Sequence, residues 1–219
     1  ETKFLKVLGQ PLGERDEGTI QGLLGAVYAA TGDHIKAAPF LVEASAKNPG
    51  DASIACNLSN SLNELGQPED AIAAARKSIA LEPGYAEAHN NLGNALKASG
   101  DLAAAAEHYR QAIAAKPGYA IAHNNLGIAC FDLGDLDTSA ASYREAIRLN
   151  PGYVRAHNNL ANLHWVAGAY DDAPACCRDA LNLASDDAET HRNLAVIYRD
   201  KGDTAESLAS FRRALELQP

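Results

Sequence analysis

The sequence predicts an all-α protein, a solenoid of antiparallel helix pairs, because three residue types each recur at one step of 34 residues. The leucines at this step are Leu24, Leu58, Leu92, Leu126, Leu160 and Leu194. The glycines are Gly32, Gly66, Gly100, Gly134, Gly168 and Gly202. The prolines are Pro49, Pro83, Pro117, Pro151 and Pro219, with Ser185 in the remaining place. A stack of such units has a continuous core rather than one closed core.

The period divides the chain into an N-terminal segment, residues 1–17, and six repeats. The predicted repeats are 18–51, 52–85, 86–119, 120–153, 154–187 and 188–219. Each is predicted to hold a helix A and a helix B. The periodic glycine ends helix A, since glycine adopts the left-handed conformation without steric cost. The residue after it is predicted to cap helix B in four repeats, as Asp33, Asp101, Asp135 and Asp203.

Small residues recur where the two helices of a repeat should cross. Position 8 of the repeat holds Gly, Ser or Ala, and position 20 holds Ala or Ser. Close approach of the helices is therefore predicted, with Tyr109, Tyr143 and Phe211 filling the seam. Pro39 and Pro174 are predicted inside helices B, where an interior proline kinks a helix. Thr2–Leu8 is predicted as a further helix.

The pattern of Leu-Gly at positions 7 and 8, alanine at 20 and 27, and proline at 32 resembles the tetratricopeptide repeat (TPR). The resemblance covers residues 18–219. It implies a right-handed superhelix in which helices A line a concave groove. Position 4, which is often large and apolar in the family, is histidine in four of these repeats, and helix A of the first repeat is the weakest match.

Composition disfavours several functions. The net charge is −9, and there is no run of Lys and Arg, so neither nucleic acid nor an anionic membrane surface is an expected partner. No stretch has the apolar length of a membrane span. The four cysteines form no C-x-x-C pair, and reduced, partly buried thiols are predicted, which favours a reducing, cytoplasmic location. No cofactor and no metal site is predicted.

An asparagine series is the strongest candidate for a functional site. Position 6 holds Asn57, Asn91, Asn125, Asn159 and Asn193, with Leu23 in the first repeat. Asparagine is a poor helix former, so its recurrence on one helical stripe needs a reason. Asn94 and Asn162, one turn further along, extend the same polar face. Each amide can pair with both polar groups of a peptide bond, and the alternative is that the amides bridge adjacent helices.

Repeated His-Asn-Asn-Leu segments at His89, His123 and His157 resemble the TPR region of O-linked N-acetylglucosamine transferases. That resemblance implies that the position-6 asparagines form a ladder gripping the backbone of a bound polypeptide. The transferase catalytic domain is not in this sequence. The dicarboxylate clamp of chaperone-binding TPRs needs lysine at position 5, which here reads Gly22, Cys56, Asn90, Asn124, Asn158 and Arg192, so that clamp is not predicted in that form.

Histidine recurs at position 4 as His89, His123, His157 and His191. Neighbouring helices pack about 8–10 Å apart, and Zn–N bonds are only about 2 Å long. Histidines of consecutive repeats are therefore too far apart to share one metal ion. Packing and hydrogen bonding between repeats are predicted instead.

Selectivity is predicted to come from other residues of the groove. Phe131 and Trp165 occupy equivalent positions in neighbouring repeats, and Arg192 and Arg199 add positive charge beyond them. These four predict an apolar pocket followed by a site for an acidic group. The alternative is that Trp165 packs under a neighbouring repeat and the arginines pair with Asp200 or Glu189.

No nucleophile, base and orienting group can be assigned, so no catalytic residues are predicted. The sequence therefore predicts a non-catalytic interaction module that binds a protein or an extended peptide. Two alternatives stay open. The chain is the substrate-recruiting region of a larger glycosyltransferase-type enzyme, or it is a scaffold that self-associates end to end through a last repeat that no capping helix follows.

Overall fold

A computed structural model describes residues 14–218 of the chain, and all regular elements within that range are α-helices. The helices form two compact units that divide between Asp101 and Leu102. The first unit contains α1 (Glu14–Ala30), α2 (His34–Lys47), α3 (Ala52–Glu64), α4 (Pro68–Leu81) and α5 (Ala86–Ala98). The second contains α6 (Leu102–Ala115), α7 (Ala120–Asp132), α8 (Leu136–Leu149), α9 (Val154–Val166), α10 (Ala173–Leu183), α11 (Ala188–Lys201) and α12 (Thr204–Leu217).

Consecutive helices pack as pairs, which confirms the predicted all-α architecture of helical hairpins. In the first unit α1 packs on α2 and α3 on α4, and in the second unit α7 packs on α8, α9 on α10 and α11 on α12. Each helix B also contacts the next helix A of its unit. Helices A contact one another as well: α9 contacts both α7 and α11. Within the second unit, helices A therefore form a row of their own.

The turns between helices A and B follow from the periodic glycines. All six adopt a positive φ, between 70° and 94°, as the sequence predicts. The Asp33 carboxylate accepts a hydrogen bond from the Lys36 backbone N–H, and that of Asp135 accepts one from the Thr138 N–H. Both therefore cap a helix B as predicted. Asp203 does not, because its side chain makes no capping bond to α12.

The seam between paired helices is as close as the small residues predict. A Cβ atom added at Gly127 would lie 2.5 Å from the ring of Tyr143, which is 2% exposed. In the next repeat Ala161 replaces the glycine and packs in one cluster with Cys177, a smaller residue than tyrosine. The hydroxyl of Ser139 donates to the Gly127 carbonyl across the seam at 2.7 Å. Side-chain volumes on the two helices are thus matched repeat by repeat.

The two interior prolines behave differently. Pro39 lies inside α2, as predicted. The prediction for Pro174 was wrong, since α10 begins at Ala173 and places Pro174 in its first turn, where the absent N–H leaves no bond unmade. Residues 169–172 form an irregular turn, so this helix B is 11 residues long. The predicted helix at Thr2–Leu8 lies outside the described residues.

Candidate functional site

The row of helices A in the second unit carries three of the five position-6 asparagines. Asn125 lies on α7, Asn159 on α9 and Asn193 on α11, and all three side chains are partly exposed. Because the three helices are neighbours and the asparagines share one helical position, their amides follow one another across the row. In the first unit Asn57 on α3 is likewise partly exposed, whereas Asn91 on α5 is 8% exposed.

Two of these amides are held by the preceding helix A. The Asn159 Nδ2 donates to Asn124 Oδ1 at 2.9 Å, which links α9 to α7. The Asn91 Nδ2 donates to the Cys56 carbonyl at 3.2 Å, which links α5 to α3. In both cases position 6 donates to position 5 of the preceding helix A. These amides therefore do bridge adjacent helices A, and the bonds fix the direction in which each amide points.

Asn193 differs from Asn159 because its side chain makes no hydrogen bond within residues 14–218. Asn162, one turn after Asn159, is exposed on α9. Asn94, at the equivalent place on α5, is partly exposed. Asn162 likewise makes no side-chain hydrogen bond within residues 14–218, so the amides of Asn162 and Asn193 both keep their hydrogen-bonding capacity for a ligand.

The position-5 asparagines are a polar set that the sequence reasoning did not recognise. Asn90, Asn124 and Asn158 are 4%, 1% and 6% exposed. The Asn158 Oδ1 accepts from the Thr190 hydroxyl at 2.9 Å, and its Nδ2 donates to the Asp187 carboxylate at 3.3 Å. These bonds join α9 to the start of α11, where Asp187 also accepts from the Thr190 backbone N–H. The doubled asparagine in each His-Asn-Asn-Leu segment was the available signal. The first amide is buried in all three segments, and the second is partly exposed at Asn125 and Asn159 but buried at Asn91.

The position-4 histidines make one recurring contact, in agreement with the predicted hydrogen bonding. The Nε2 of His89, His123, His157 and His191 lies 3.0–3.1 Å from the backbone carbonyl oxygen six residues earlier. A carbonyl only accepts, so each Nε2 carries the proton and donates. The histidines thereby tie the loop before each helix A to that helix. No group of three or more His, Cys, Asp or Glu side chains in the described range is arranged to hold a metal ion.

Trp165 is anchored by the last repeat. Its Nε1 donates to Asp200 Oδ2 at 2.9 Å, and the Arg199 Nε donates to Asp200 Oδ1 at 2.8 Å. The hydrogen bonds from Arg199 and Trp165 hold the pKa of Asp200 below its usual value. The ring packs against a cluster of α10 and α11 that includes Cys177 and Leu194. The alternative arrangement of Trp165 and Arg199 weighed from the sequence is thus the one present.

A cavity of roughly 240 Å³ adjoins this indole ring. Its lining residues are Asn162, Trp165, Arg192, Asn193, Val196 and Ile197. Four of them were predicted as binding residues from the sequence. Phe131 is not among them: it packs against Tyr143, Leu160 and Leu163 in a cluster of the preceding repeats. Arg192 is exposed and makes no ion pair within the described residues.

All four thiols are free, and burial raises the pKa of each. The pKa of Cys56 rises to about 11 and that of Cys177 to about 12. Cys56, Cys130 and Cys177 are buried, and Cys176 is partly exposed. Within the part of the chain that the structure covers, no helix combines the length and apolarity needed to cross a membrane.

Paired helices with glycine turns and a fixed period define a helical-repeat protein, and the family follows from the sequence. The model of the tetratricopeptide repeat matches residues 56–120, 93–154 and 124–188, and a second model of the same repeat matches residues 188–219. The chain belongs to the tetratricopeptide repeat family. This membership indicates a role in protein–protein interaction or as a scaffold. No sequence among the curated proteins matches the chain.

Solved structures share the fold. One chain of the APC/C hetero-tetramer Cut9–Hcn1 is 20% identical with a TM-score of 0.82, and 93% of this chain covers 40% of that one. PilF of Pseudomonas aeruginosa is 19% identical with a TM-score of 0.78, covering 94% of this chain and 95% of its own. YrrB, described as a TPR protein with an unusual peptide-binding site, is 21% identical with a TM-score of 0.63, and the match covers 82% of this chain and 92% of YrrB. These likenesses concern the fold alone.

Proposed function

We propose that the row of helices α7, α9 and α11 binds an extended polypeptide, and that the amides of Asn125, Asn159 and Asn193 pair with its backbone. The observation that carries this proposal is the bond from Asn159 to Asn124. It uses one N–H of the Asn159 amide and sets its orientation, so the other N–H and the oxygen remain for a ligand. An amide orientated before binding loses less conformational freedom on binding.

The dimensions suit a short extended segment. Helices pack roughly 8–10 Å apart, so three successive helices A span roughly 20 Å, which about six extended residues cover. An amide that pairs with a peptide bond is indifferent to the side chains of that peptide. Ordering a flexible ligand offsets much of its contact energy, so affinities for generic peptides should be on the order of micromolar. The chain is proposed to act by binding, with no catalysis of its own.

The test is a selection of random peptides of about ten residues on the full chain, long enough to cross the row of helices. Calorimetry then compares the selected peptides on Asn193→Ala and on Asn182→Ala. Asn182 is a matched control because it is an exposed asparagine on α10, a helix B. Loss of one hydrogen bond should weaken binding about fivefold for Asn193→Ala, about 1 kcal/mol, and leave Asn182→Ala unchanged. Equal affinities for the two variants would refute the proposal.

Self-association is a second candidate, and the exposed apolar residues of α12 favour it. Leu208 and Leu215 are 49% and 66% exposed, whereas Leu181, which matches Leu215 in the preceding repeat, packs against the core of α10 and α11. A second copy of this chain would cover the two leucines. Light scattering over a concentration series should then show a dimer that Leu215→Glu abolishes, and a monomer at all concentrations would exclude it.

A further inference from the structure

The cavity beside Trp165 offers two kinds of surface at once. The indole ring of Trp165 and the side chain of Val196 supply an apolar wall. The amides of Asn162 and Asn193 and the guanidinium of Arg192 also line the cavity and supply hydrogen-bond donors. At roughly 240 Å³ the cavity is smaller than the sites of drug-sized ligands and cofactors, which run from about 300 to 1,000 Å³. Its size therefore suits a single residue of a peptide.

The charge of the cavity comes from one residue. Arg199 is compensated, because Asp200 accepts from its Nε, and both Asp200 oxygens are occupied once Trp165 donates to the other. Arg192 has no such partner in residues 14–218. The guanidinium of Arg192 thus lines the cavity together with the amides of Asn162 and Asn193 and without an acidic partner in the described residues. It complements an anion, and the fork geometry of arginine favours a carboxylate bound through two hydrogen bonds.

The same bonds make the apolar wall rigid. Trp165 is held through its Nε1 by Asp200 and through its ring by the cluster that contains Ile197. Large aromatic side chains in such settings often dominate binding energy. An apolar side chain of a ligand can therefore pack on the fixed indole while a neighbouring carboxylate reaches Arg192.

We propose that this cavity binds a carboxylate adjacent to an apolar side chain of the bound polypeptide, with Arg192 and Asn193 as its anchors. The carboxylate is either the free C-terminus of the partner or an internal acidic residue. The inference rests on the proposed peptide-binding function and adds the class of sequence that the groove selects. It also sets where the carboxylate of the ligand lies, because the cavity is at the α9–α11 end of the row.

Three synthetic peptides distinguish the sources of the carboxylate: Ser-Ala-Ser-Ala-Leu with a free C-terminus, the same peptide as its C-terminal amide, and Ser-Ala-Leu-Asp-Ser as an amide. Binding is followed through Trp165, the one tryptophan of the chain, and by calorimetry. The full chain is compared with Arg192→Gln and with Arg212→Gln, a control at an exposed arginine on α12. Glutamine keeps hydrogen-bonding capacity but removes the charge.

The free acid, the internal-Asp peptide or both should change Trp165 emission and bind the parent chain about tenfold more tightly than the neutral amide, as expected for a charge-assisted hydrogen bond. Arg192→Gln should abolish this preference and Arg212→Gln should preserve it. Equal binding of all three peptides to the parent chain, or a preference that survives Arg192→Gln, overturns the inference. If library-selected peptides still depend on Asn125 and Asn159 in that case, peptide binding stands and the carboxylate site alone fails. If no peptide of either kind binds, both fail.

Discussion

Changing Asn159 and Asn193 separately to alanine should distinguish the structural role of the asparagine series from its binding role. The Asn159 amide donates to Asn124 Oδ1, and Asn124 is 1% exposed with its own Nδ2 already lacking a partner. Asn159→Ala would therefore leave both polar atoms of a buried side chain unpaired. The side chain of Asn193 makes no hydrogen bond within the described residues, so Asn193→Ala removes no hydrogen bond from the folded protein.

The magnitudes follow from these contacts. Leaving Asn124 unsatisfied should lower the free energy of unfolding by about 1–3 kcal/mol for Asn159→Ala. Asn193→Ala should stay within about 0.5 kcal/mol of the parent, as surface substitutions do. Both variants should bind a library-selected peptide about fivefold more weakly, since each loses one ligand hydrogen bond of about 1 kcal/mol. The two variants thus differ in stability and agree in affinity.

Urea unfolding followed by circular dichroism measures the first quantity, and calorimetry measures the second. A double variant, Asn124→Leu with Asn159→Leu, adds a control, because replacing both partners with apolar groups of similar shape removes the unsatisfied atoms and should recover most of the lost stability. The reasoning is refuted if Asn159→Ala is as stable as Asn193→Ala, or if only the less stable variant binds weakly.

Three further predictions concern packing, capping and thiols. Gly127→Ala should lower the free energy of unfolding by about 1–2 kcal/mol, because overpacking against the buried tyrosine ring of α8 outweighs the better helix propensity of alanine. Gly118 has open space around it, so Gly118→Ala should leave the free energy of unfolding unchanged in the same urea titration. Asp187→Ala should lower the free energy of unfolding by about 1–2 kcal/mol more than Asp203→Ala does, because only Asp187 makes a side-chain capping bond. Burial alone would raise the pKa of Asp187, but hydrogen bonds from Thr190 and Asn158 outweigh it and lower that pKa. The stability difference between the two variants should therefore be complete above about pH 4 and disappear as the pH falls through the lowered pKa. In a native thiol titration at most Cys176 should react, and slowly, with the other thiols reacting after unfolding; rapid reaction of several native thiols would contradict their burial.

The fold could be predicted from the sequence because each periodic residue has one local role. A glycine that must adopt positive φ, an aspartate that caps and a small residue that faces a large one all act within a single hairpin. The start of α10 could not be predicted this way. Its proline was assigned to a helix interior by repeat position, yet the preceding turn is irregular and delays the helix.

The candidate site was harder to predict from the sequence than the fold was. The stripe of position-6 asparagines was visible, but their hydrogen bonds to the neighbouring helix depend on side-chain directions that a period does not encode. Asn124 and Asn159 belong to adjacent helices, and only the packed row brings their amides together. Likewise, the sequence left open whether Arg192 and Arg199 pair with acidic residues, and the contact of Arg199 with Asp200 distinguishes the two.

Nuclear magnetic resonance of the asparagine side-chain amides tests the central claim most directly. The full chain, labelled with nitrogen-15, is titrated with a peptide selected from the random library. The side-chain NH₂ signals of Asn159 and Asn193 should shift in proportion to peptide bound, while that of Asn182, on the helix-B surface, should stay in place. Saturating binding that leaves the Asn159 and Asn193 amide signals unmoved would contradict the proposal that these residues hold the polypeptide.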